Sequence, residues 1–226
     1  MFPVDRALLI INRAAGTGQD EATVEQLGSL FRQTLGELPD VRVELVNDHS
    51  SARACAAQFI SSSAASALVV AGGGGGTLRA VIEGVCHNPA VRVGALRMGS
   101  GNVLARQFGV PRDPYIGLQG LLANLSAGVT ASCCVMRCET WTSSGNSEIH
   151  HAVTLGGLGQ FGRIPSDLSR WHTRLPFVQK LAARSIGVEK FTNVEYVAAF
   201  LLRTLTHRVE TVEINQQERL RLLSAS

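Results

Sequence analysis

Short apolar runs alternate with segments of helical periodicity along the first half of the chain. Four runs rich in valine, leucine and isoleucine predict buried strands at residues 7–12, 41–46, 67–71 and 91–96. Apolar residues that recur at every third or fourth position predict helices at residues 20–35, 50–62, 77–85, 102–109 and 114–128. Strands that alternate with helices in this way are typical of a doubly wound, mostly parallel sheet with helices on both faces. The pattern therefore predicts an α/β domain over residues 1–128, in which Ser50 or Ser51 caps the second helix.

The pattern changes after Gly128. Two alternating segments, at residues 129–142 and 147–159, predict strands around a short polar turn, and residues 209–214 predict another strand. A basic stretch between them, residues 165–206, has helical periodicity. We therefore expect a second, β-rich and incomplete domain over residues 129–226, whose exposed strand edges would favour a homodimer.

Composition and charge add limits but no specific function. The 226 residues are 45% hydrophobic, and the net charge of +3 suits an anionic ligand or an anionic membrane surface without specifying either. No apolar run reaches the roughly 18–20 residues that a membrane-spanning helix needs, and the N-terminus does not have the pattern of a signal peptide. The five cysteines are odd in number and irregular in spacing, so we expect a reduced, cytoplasmic protein without a disulfide framework or a metal site. A nucleic-acid partner is not expected.

Five consecutive glycines, from Gly72 to Gly76, separate the third predicted strand from the helix that follows it. Glycine loses more conformational entropy on folding than any other residue, so such a run is costly unless the backbone needs the space. One interpretation is a flexible linker. The other is close approach of a phosphate to the amino end of a helix. Phosphate binding is favoured because ligands of parallel sheets bind at the carboxyl ends of the strands.

Two further loops have the same character as the glycine run. Residues 12–18, NRAAGTG, follow the first strand, and residues 97–102, RMGSGN, follow the fourth. In a parallel sheet all three loops would lie at one edge, where backbone N–H groups and the side chains of Thr77, Ser100 and Asn102 could donate to phosphate oxygens or cap helices. None of the loops has the Gly-Lys-Ser/Thr pattern of a P-loop. A dehydrogenase is disfavoured, because no acidic residue follows at the distance that a dinucleotide-binding fold requires.

These three loops, in this order, resemble the motifs of the diacylglycerol kinase catalytic domain family, which includes bacterial lipid kinases and sphingosine kinases. The family's strand-GGDGT-helix motif is similar to VVAGGGGGTLRAV, its PxGTxN motif to LRMGSGNVLAR, and its opening NPxSGxG to NRAAGTG. Two later segments, AVTLGGLGQFG and FTNVEYVAAFLLRTL, resemble parts of the family's second domain, so the resemblance extends over nearly the whole chain.

The resemblance implies a lipid kinase that binds ATP and Mg²⁺ and transfers the γ-phosphoryl group to a lipid hydroxyl of the diacylglycerol or sphingoid type. It implies a cytoplasmic protein that contacts the inner face of the membrane peripherally. Residues 170–185 mix basic with aromatic residues, which is typical of a membrane-surface helix or of an ordinary amphipathic helix. The residues expected to bind the nucleotide are Asn12, Asn47, Gly72, Gly73, Gly74, Gly75, Gly76, Thr77, Arg79, Ser100, Gly101 and Asn102.

The chain departs from the family pattern at several positions. Gly75 stands where the family has the aspartate that helps to organise magnesium and phosphate, and Arg13, Ala15 and Arg97 replace a proline, a serine and a proline. The two arginines could neutralise phosphate charge or simply lie on the surface. No residue is assigned a catalytic role, because no carboxylate of this chain matches the one that the family uses to activate the lipid hydroxyl. Two alternatives remain open: a nucleotide- or lipid-binding homologue without catalysis, and an NAD kinase, which shares the GGDGT loop.

Overall fold

The computed structural model describes residues 2–16, 19–63, 65–99, 101–141 and 146–153. Within these ranges the main sheet has four parallel strands: β1 (Arg6–Asn12), β2 (Asp40–Val46), β3 (Ala67–Gly73) and β4 (Val91–Arg97). The helices between and after them are α1 (Glu21–Leu35), α2 (His49–Ser61), α3 (Gly75–Val85), α4 (Val103–Gln107) and α5 (Pro114–Ser126). A hairpin of β5 (Met136–Trp141) and β6 (Ser147–Ala152) follows. The predicted α/β fold is confirmed.

The strand order β2-β1-β3-β4 places the two most apolar strands, β1 and β3, in the middle of the sheet. Every residue of β1 and β3 is buried, as expected of strands that are covered on both faces. Alternate residues of β1 point to opposite faces. Leu9 and Ile11 pack with α1 and α5, whereas Leu8 and Ile10 pack with α2 and α3. The sheet is therefore the middle layer of three, with one apolar core on each side.

Aspartates determine where α1 and α2 begin. The side chain of Asp20 accepts a hydrogen bond from the Thr23 N–H group, and that of Asp48 accepts one from the Ser51 N–H group at 2.8 Å. The prediction that Ser50 or Ser51 caps α2 is wrong. A carboxylate accepts N–H hydrogen bonds more strongly than a hydroxyl does, so the helix begins at the residue after Asp48.

The hairpin after Gly128 begins later than predicted. Its first strand begins at Met136 rather than at residue 129, and the exposed residues 129–135 have no neighbouring strand among the described residues. The hairpin contacts α3, where the His151 N–H group lies 3.4 Å from Glu83 Oε1 and Val153 packs against the core. The predicted strand at residues 209–214, the helical stretch at 165–206 and most of residues 153–159 lie outside the described residues, and the domain boundary near Gly128 stays a prediction. No helix in the described ranges is long and apolar enough to cross a membrane.

Candidate phosphate-binding site

Three loops lie at the carboxyl edge of the sheet because β1, β3 and β4 are neighbours and run in parallel. Ile11 pairs with Gly72 and Gly73 pairs with Arg97, so the three strands end at nearly the same level. We call the loops after β1, β3 and β4 the first, second and third loop. The structure brings these three loops together, as the sequence predicts.

Hydrogen bonds join the three loops to one another. Asn12, the last residue of β1 before the first loop, donates from Nδ2 to Thr77 Oγ1 in α3 at 3.0 Å, and both side chains are buried. Gln19 Nε2 donates to the Met98 carbonyl of the third loop at 2.9 Å. The Met98 N–H group in turn donates to the Gly73 carbonyl at 3.1 Å. Gln19 was not predicted as a site residue, since a glutamine in a polar loop has no distinctive sequence signal.

The glycine run is not a linker. Gly72 and Gly73 are the last residues of β3, Gly74 precedes α3, and Gly75 and Gly76 form the start of the helix. None of the five has a positive φ; among the described glycines only Gly16, Gly109 and Gly128 do. The run therefore provides space around an ordinary strand-to-helix connection, not left-handed backbone.

Most of that space is occupied by other parts of the protein. A Cβ atom at Gly73 would lie 2.6 Å from the Thr77 Cβ atom, and one at Gly76 would lie 2.6 Å from two ring atoms of His49. A Cβ atom at Gly74 would lie 3.3 Å from the Gly99 Cα atom, which is also a tight contact. At Gly75 no atom of the described residues beyond the adjacent helix backbone lies within 4 Å of the Cβ position. Close packing therefore explains the glycines at positions 73, 74 and 76, whereas approach of a ligand would explain the glycine at position 75.

The amino end of α3 differs from those of α1, α2 and α5. The latter three have an aspartate side chain that accepts hydrogen bonds from first-turn N–H groups, whereas α3 begins after Gly74 and has no side-chain cap. The first N–H groups of a helix have no partners within the helix, and the helix dipole adds partial positive charge there. The first turn of α3 can therefore donate to an anion at the carboxyl edge of the sheet.

The third loop is closed by Asn102. Its side-chain oxygen accepts a hydrogen bond from the Gly99 N–H group at 3.1 Å, and its amide group donates to the Gly99 carbonyl. Asn102 has a φ of 51°, which makes it the only residue other than glycine with a positive φ in the described ranges. Asparagine tolerates this conformation better than most residues. Gly101 has open space around its Cβ position, and Ser100 lies outside the described residues.

Several predicted binding residues are turned to other partners. Thr77 and Asn102 are buried, and their side chains form hydrogen bonds with Asn12 and with Gly99, respectively. These two side chains therefore hold the loops in place. Arg79, in the second turn of α3, lies 3.4 Å from Glu83 and is about half exposed. Asn47 is exposed after β2, at the edge of the sheet. Their roles in nucleotide binding stay predictions.

The two arginines that replace family prolines are placed differently. Arg13 is exposed in the first loop, where its N–H group donates to the Val46 carbonyl at 2.9 Å. Arg97 is partly buried, and its Nη1 atom lies 3.3 Å from the Val110 carbonyl, while its Nε atom is buried without a hydrogen-bond partner in the described part of the chain. Only Arg13 is fully available to an anion from solvent.

His49 is a site residue that sequence analysis missed. It is the first residue of α2, and its exposed ring lies against Gly76 in the first turn of α3. An imidazole here can donate a hydrogen bond, and when protonated it carries positive charge. The available signal was its place two residues after Asn47, directly beyond the second strand.

Acidic groups near the loops are engaged as helix caps. The hydroxyl group of Ser50 and then the N–H and hydroxyl groups of Ser51 stabilise the Asp48 carboxylate, which lowers its pKa from 3.8 to about 2. The pKa of Asp20 is lowered in the same way by the hydroxyl and N–H groups of Thr23. Within the described ranges no group of three or more His, Cys, Asp or Glu side chains could hold a metal ion.

The sheet order, the three joined loops and the uncapped helix define an α/β domain with a candidate anion-binding edge. The diacylglycerol kinase catalytic domain family matches residues 6–132, which is more than half of the chain. The chain belongs to this family, a family of lipid kinases. A comparison with curated proteins finds none that matches.

Solved structures with a similar fold come from Bacillus anthracis str. Sterne. A diacylglycerol kinase from this organism is 17% identical with a TM-score of 0.52, and the match covers 75% of this chain and 55% of that one. A proposed diacylglycerol kinase from the same organism is also 17% identical, with a TM-score of 0.49 and coverages of 62% and 45%. The chain thus spans about half the length of these neighbours. At this identity the likeness shows the fold.

Proposed function

We propose that the chain binds ATP at the three loops and is the nucleotide-binding part of a lipid kinase that transfers the γ-phosphoryl group to a lipid hydroxyl. The observation that carries this proposal is the uncapped first turn of α3, placed between two other loops at the carboxyl edge of the sheet in a member of this family. The acceptor would be a lipid of the diacylglycerol or sphingoid type. Such an acceptor resides in a bilayer, so the proposal includes peripheral contact with a membrane surface.

The chain's own groups would bind and orient the phosphates. N–H groups at the start of α3 would donate to phosphate oxygens, and the helix dipole would stabilise the negative charge. The buried Asn12–Thr77 hydrogen bond holds the first loop against α3, and Gln19 holds it against the third loop. In the transfer, the lipid hydroxyl oxygen forms a bond to the γ-phosphorus, the bond to the bridging oxygen breaks, ADP leaves and the hydroxyl proton is released to solvent. Groups that are already positioned lower the barrier because they need no reorganisation.

Magnesium, which the resemblance implies, does not fit the described residues. Magnesium prefers oxygen ligands and is usually held through one or two carboxylates together with the phosphates. Gly75 has no side chain to ligate a metal, and Asp20 and Asp48 already accept hydrogen bonds as caps. The described residues therefore supply no free carboxylate beside the second loop.

A second candidate function, nucleotide binding without catalysis, is favoured by Gly75 itself. Phosphoryl transfer depends on neutralising the charge of the transferred group, and metal ions usually provide much of that neutralisation. A site that lacks the carboxylate would retain binding through the helix terminus and lose rate. The two candidates differ in turnover, not in affinity.

Transfer of labelled γ-phosphate from ATP to a mixed lipid extract separates the two candidates. The assay would compare the natural chain, Gly75→Asp and Gly75→Asn, with circular dichroism to confirm that each is folded. Labelled lipid from the natural chain would support the kinase. Label with Gly75→Asp alone would support the binding protein, since only the carboxylate is restored. Labelled NADP from added NAD, without labelled lipid, would instead indicate an NAD kinase.

A further inference from the structure

We infer that this site binds the phosphates of ATP without a divalent cation, and that the open position at Gly75 is what makes binding independent of metal. The inference rests on the proposed nucleotide-binding function. It adds which form of the nucleotide the site prefers, free ATP or its magnesium complex. It arises from a mismatch between two observations. The family resemblance implies the use of magnesium, but the groups that surround the second loop in this chain do not fit a magnesium ion.

The charged groups around the three loops favour an anion directly. The donors are the uncapped N–H groups of α3, the exposed Arg13 of the first loop and the His49 ring against Gly76. The neighbouring carboxylates, Asp20 and Asp48, direct both oxygens to the residues that they cap. The helix N–H groups and Arg13 can therefore attract an anion directly, whereas neither of these carboxylates is left free to hold a metal.

A divalent cation would not improve binding at such a site. Free ATP carries more negative charge than its magnesium complex, so helix N–H groups and cationic side chains attract the free nucleotide at least as strongly. A metal adds affinity when protein oxygens also ligate it. Position 75 offers no such oxygen, and among the described residues nothing beyond the adjacent helix backbone lies within 4 Å of its Cβ position to replace one.

An aspartate at position 75 should reverse this preference. The position is in the first turn of α3 with space for a side chain and no positive φ, so an aspartate can be accommodated. Its charge would be favourable to the helix dipole but would repel a phosphate at the same place. A bridging cation would convert that repulsion into attraction. Asparagine has nearly the same size without the charge, and it is the matched control.

The test is isothermal titration calorimetry of ATP with the full chain, in excess EDTA and in excess MgCl₂. For the natural chain we expect a dissociation constant in EDTA equal to or lower than that in magnesium. For Gly75→Asp we expect binding in EDTA to weaken by ~10-fold or more, from the added like charge, and to recover in magnesium. Gly75→Asn should respond to magnesium as the natural chain does.

Each result decides a separate point. Binding by the natural chain only in magnesium would overturn this inference and leave the nucleotide site intact. Absence of ATP binding in both buffers, with a folded protein, would overturn both this inference and the proposed function. The same magnesium response in Gly75→Asp and Gly75→Asn would overturn the role given to position 75. If circular dichroism shows that Gly75→Asp is unfolded, the two titrations of the natural chain decide alone.

Discussion

The close contact between the second and third loops predicts that two neighbouring glycines differ sharply in their tolerance of a methyl group. A Cβ atom at Gly99 would lie 2.8 Å from the Gly74 nitrogen and closer still to the Gly74 Cα atom. At Gly101 no atom in the described part of the chain, its two chain neighbours apart, lies within 4 Å of the Cβ position. Gly99→Ala and Gly101→Ala are therefore a matched pair, with the same chemical change two residues apart in one loop.

The magnitude follows from the atoms involved. Carbon atoms in contact normally lie about 3.5–4.0 Å apart, so the methyl group of Gly99→Ala would have to displace backbone that no rotamer change can move. Overpacking of this kind costs about 1–3 kcal/mol. Movement of the loop would also strain the hydrogen bond from the Gly99 N–H group to Asn102, at a further cost of about 1 kcal/mol. Loss of glycine freedom in the unfolded chain offsets about 0.4–1 kcal/mol of this.

We therefore expect Gly99→Ala to lower the free energy of unfolding by about 1–3.5 kcal/mol. Gly101→Ala should leave it unchanged or raise it by up to about 1 kcal/mol. Equilibrium unfolding in urea, followed by far-ultraviolet circular dichroism, measures both values under the same conditions. Equal stabilities within about 0.5 kcal/mol, the usual limit for neutral surface changes, would refute the contact between the two loops.

Two further predictions concern the first loop and the start of α2. Thr77→Val should lower the free energy of unfolding by about 1–3 kcal/mol because it leaves the buried Asn12 amide without its acceptor, whereas Thr77→Ser keeps the hydroxyl group and should cost less. Asp48 stabilises the folded state above its usual pKa of 3.8, and this contribution is lost as pH falls toward about 2. The stability advantage of the natural chain over Asp48→Asn should therefore decline over that pH window, as measured by urea unfolding at a series of pH values.

Each of these predictions can fail in a distinct way. Equal destabilisation by valine and serine at position 77 would mean that the hydroxyl group is not the acceptor for Asn12. A stability difference between Asp48 and Asp48→Asn that does not vary between pH 5 and pH 2 would mean that the carboxylate is not held by Ser50 and Ser51. A direct titration of the Asp48 carboxyl group by NMR provides an independent value of its pKa.

Local pattern predicted most of the architecture. The strand at residues 7–12 and the helix at residues 20–35 match β1 and α1 to within one residue at each end, because both depend on periodicity within a single segment. The order of the three glycine-containing loops also predicted their common edge, since parallel strands direct their carboxyl ends the same way. The N-cap of α2 was predicted less reliably, because Asp48 and Ser51 are both residue types that cap helices and they lie three positions apart.

Only the tertiary structure separated the roles of the five glycines. They are identical in composition, yet Gly72 faces Met98, Gly73 faces Thr77, Gly74 faces Gly99 and Gly76 faces His49, while Gly75 has no such neighbour among the described residues. Gly99 and His49 come from segments distant in the sequence and meet the glycine run because the strand order is β2-β1-β3-β4, whereas Thr77 lies only four residues after Gly73. The sequence by itself determined the elements, the α/β class and the family motifs, since each is encoded in residues close together along the chain. Which glycine is left open to a ligand depends on distances between segments, and those are decided only when the sheet and its helices pack.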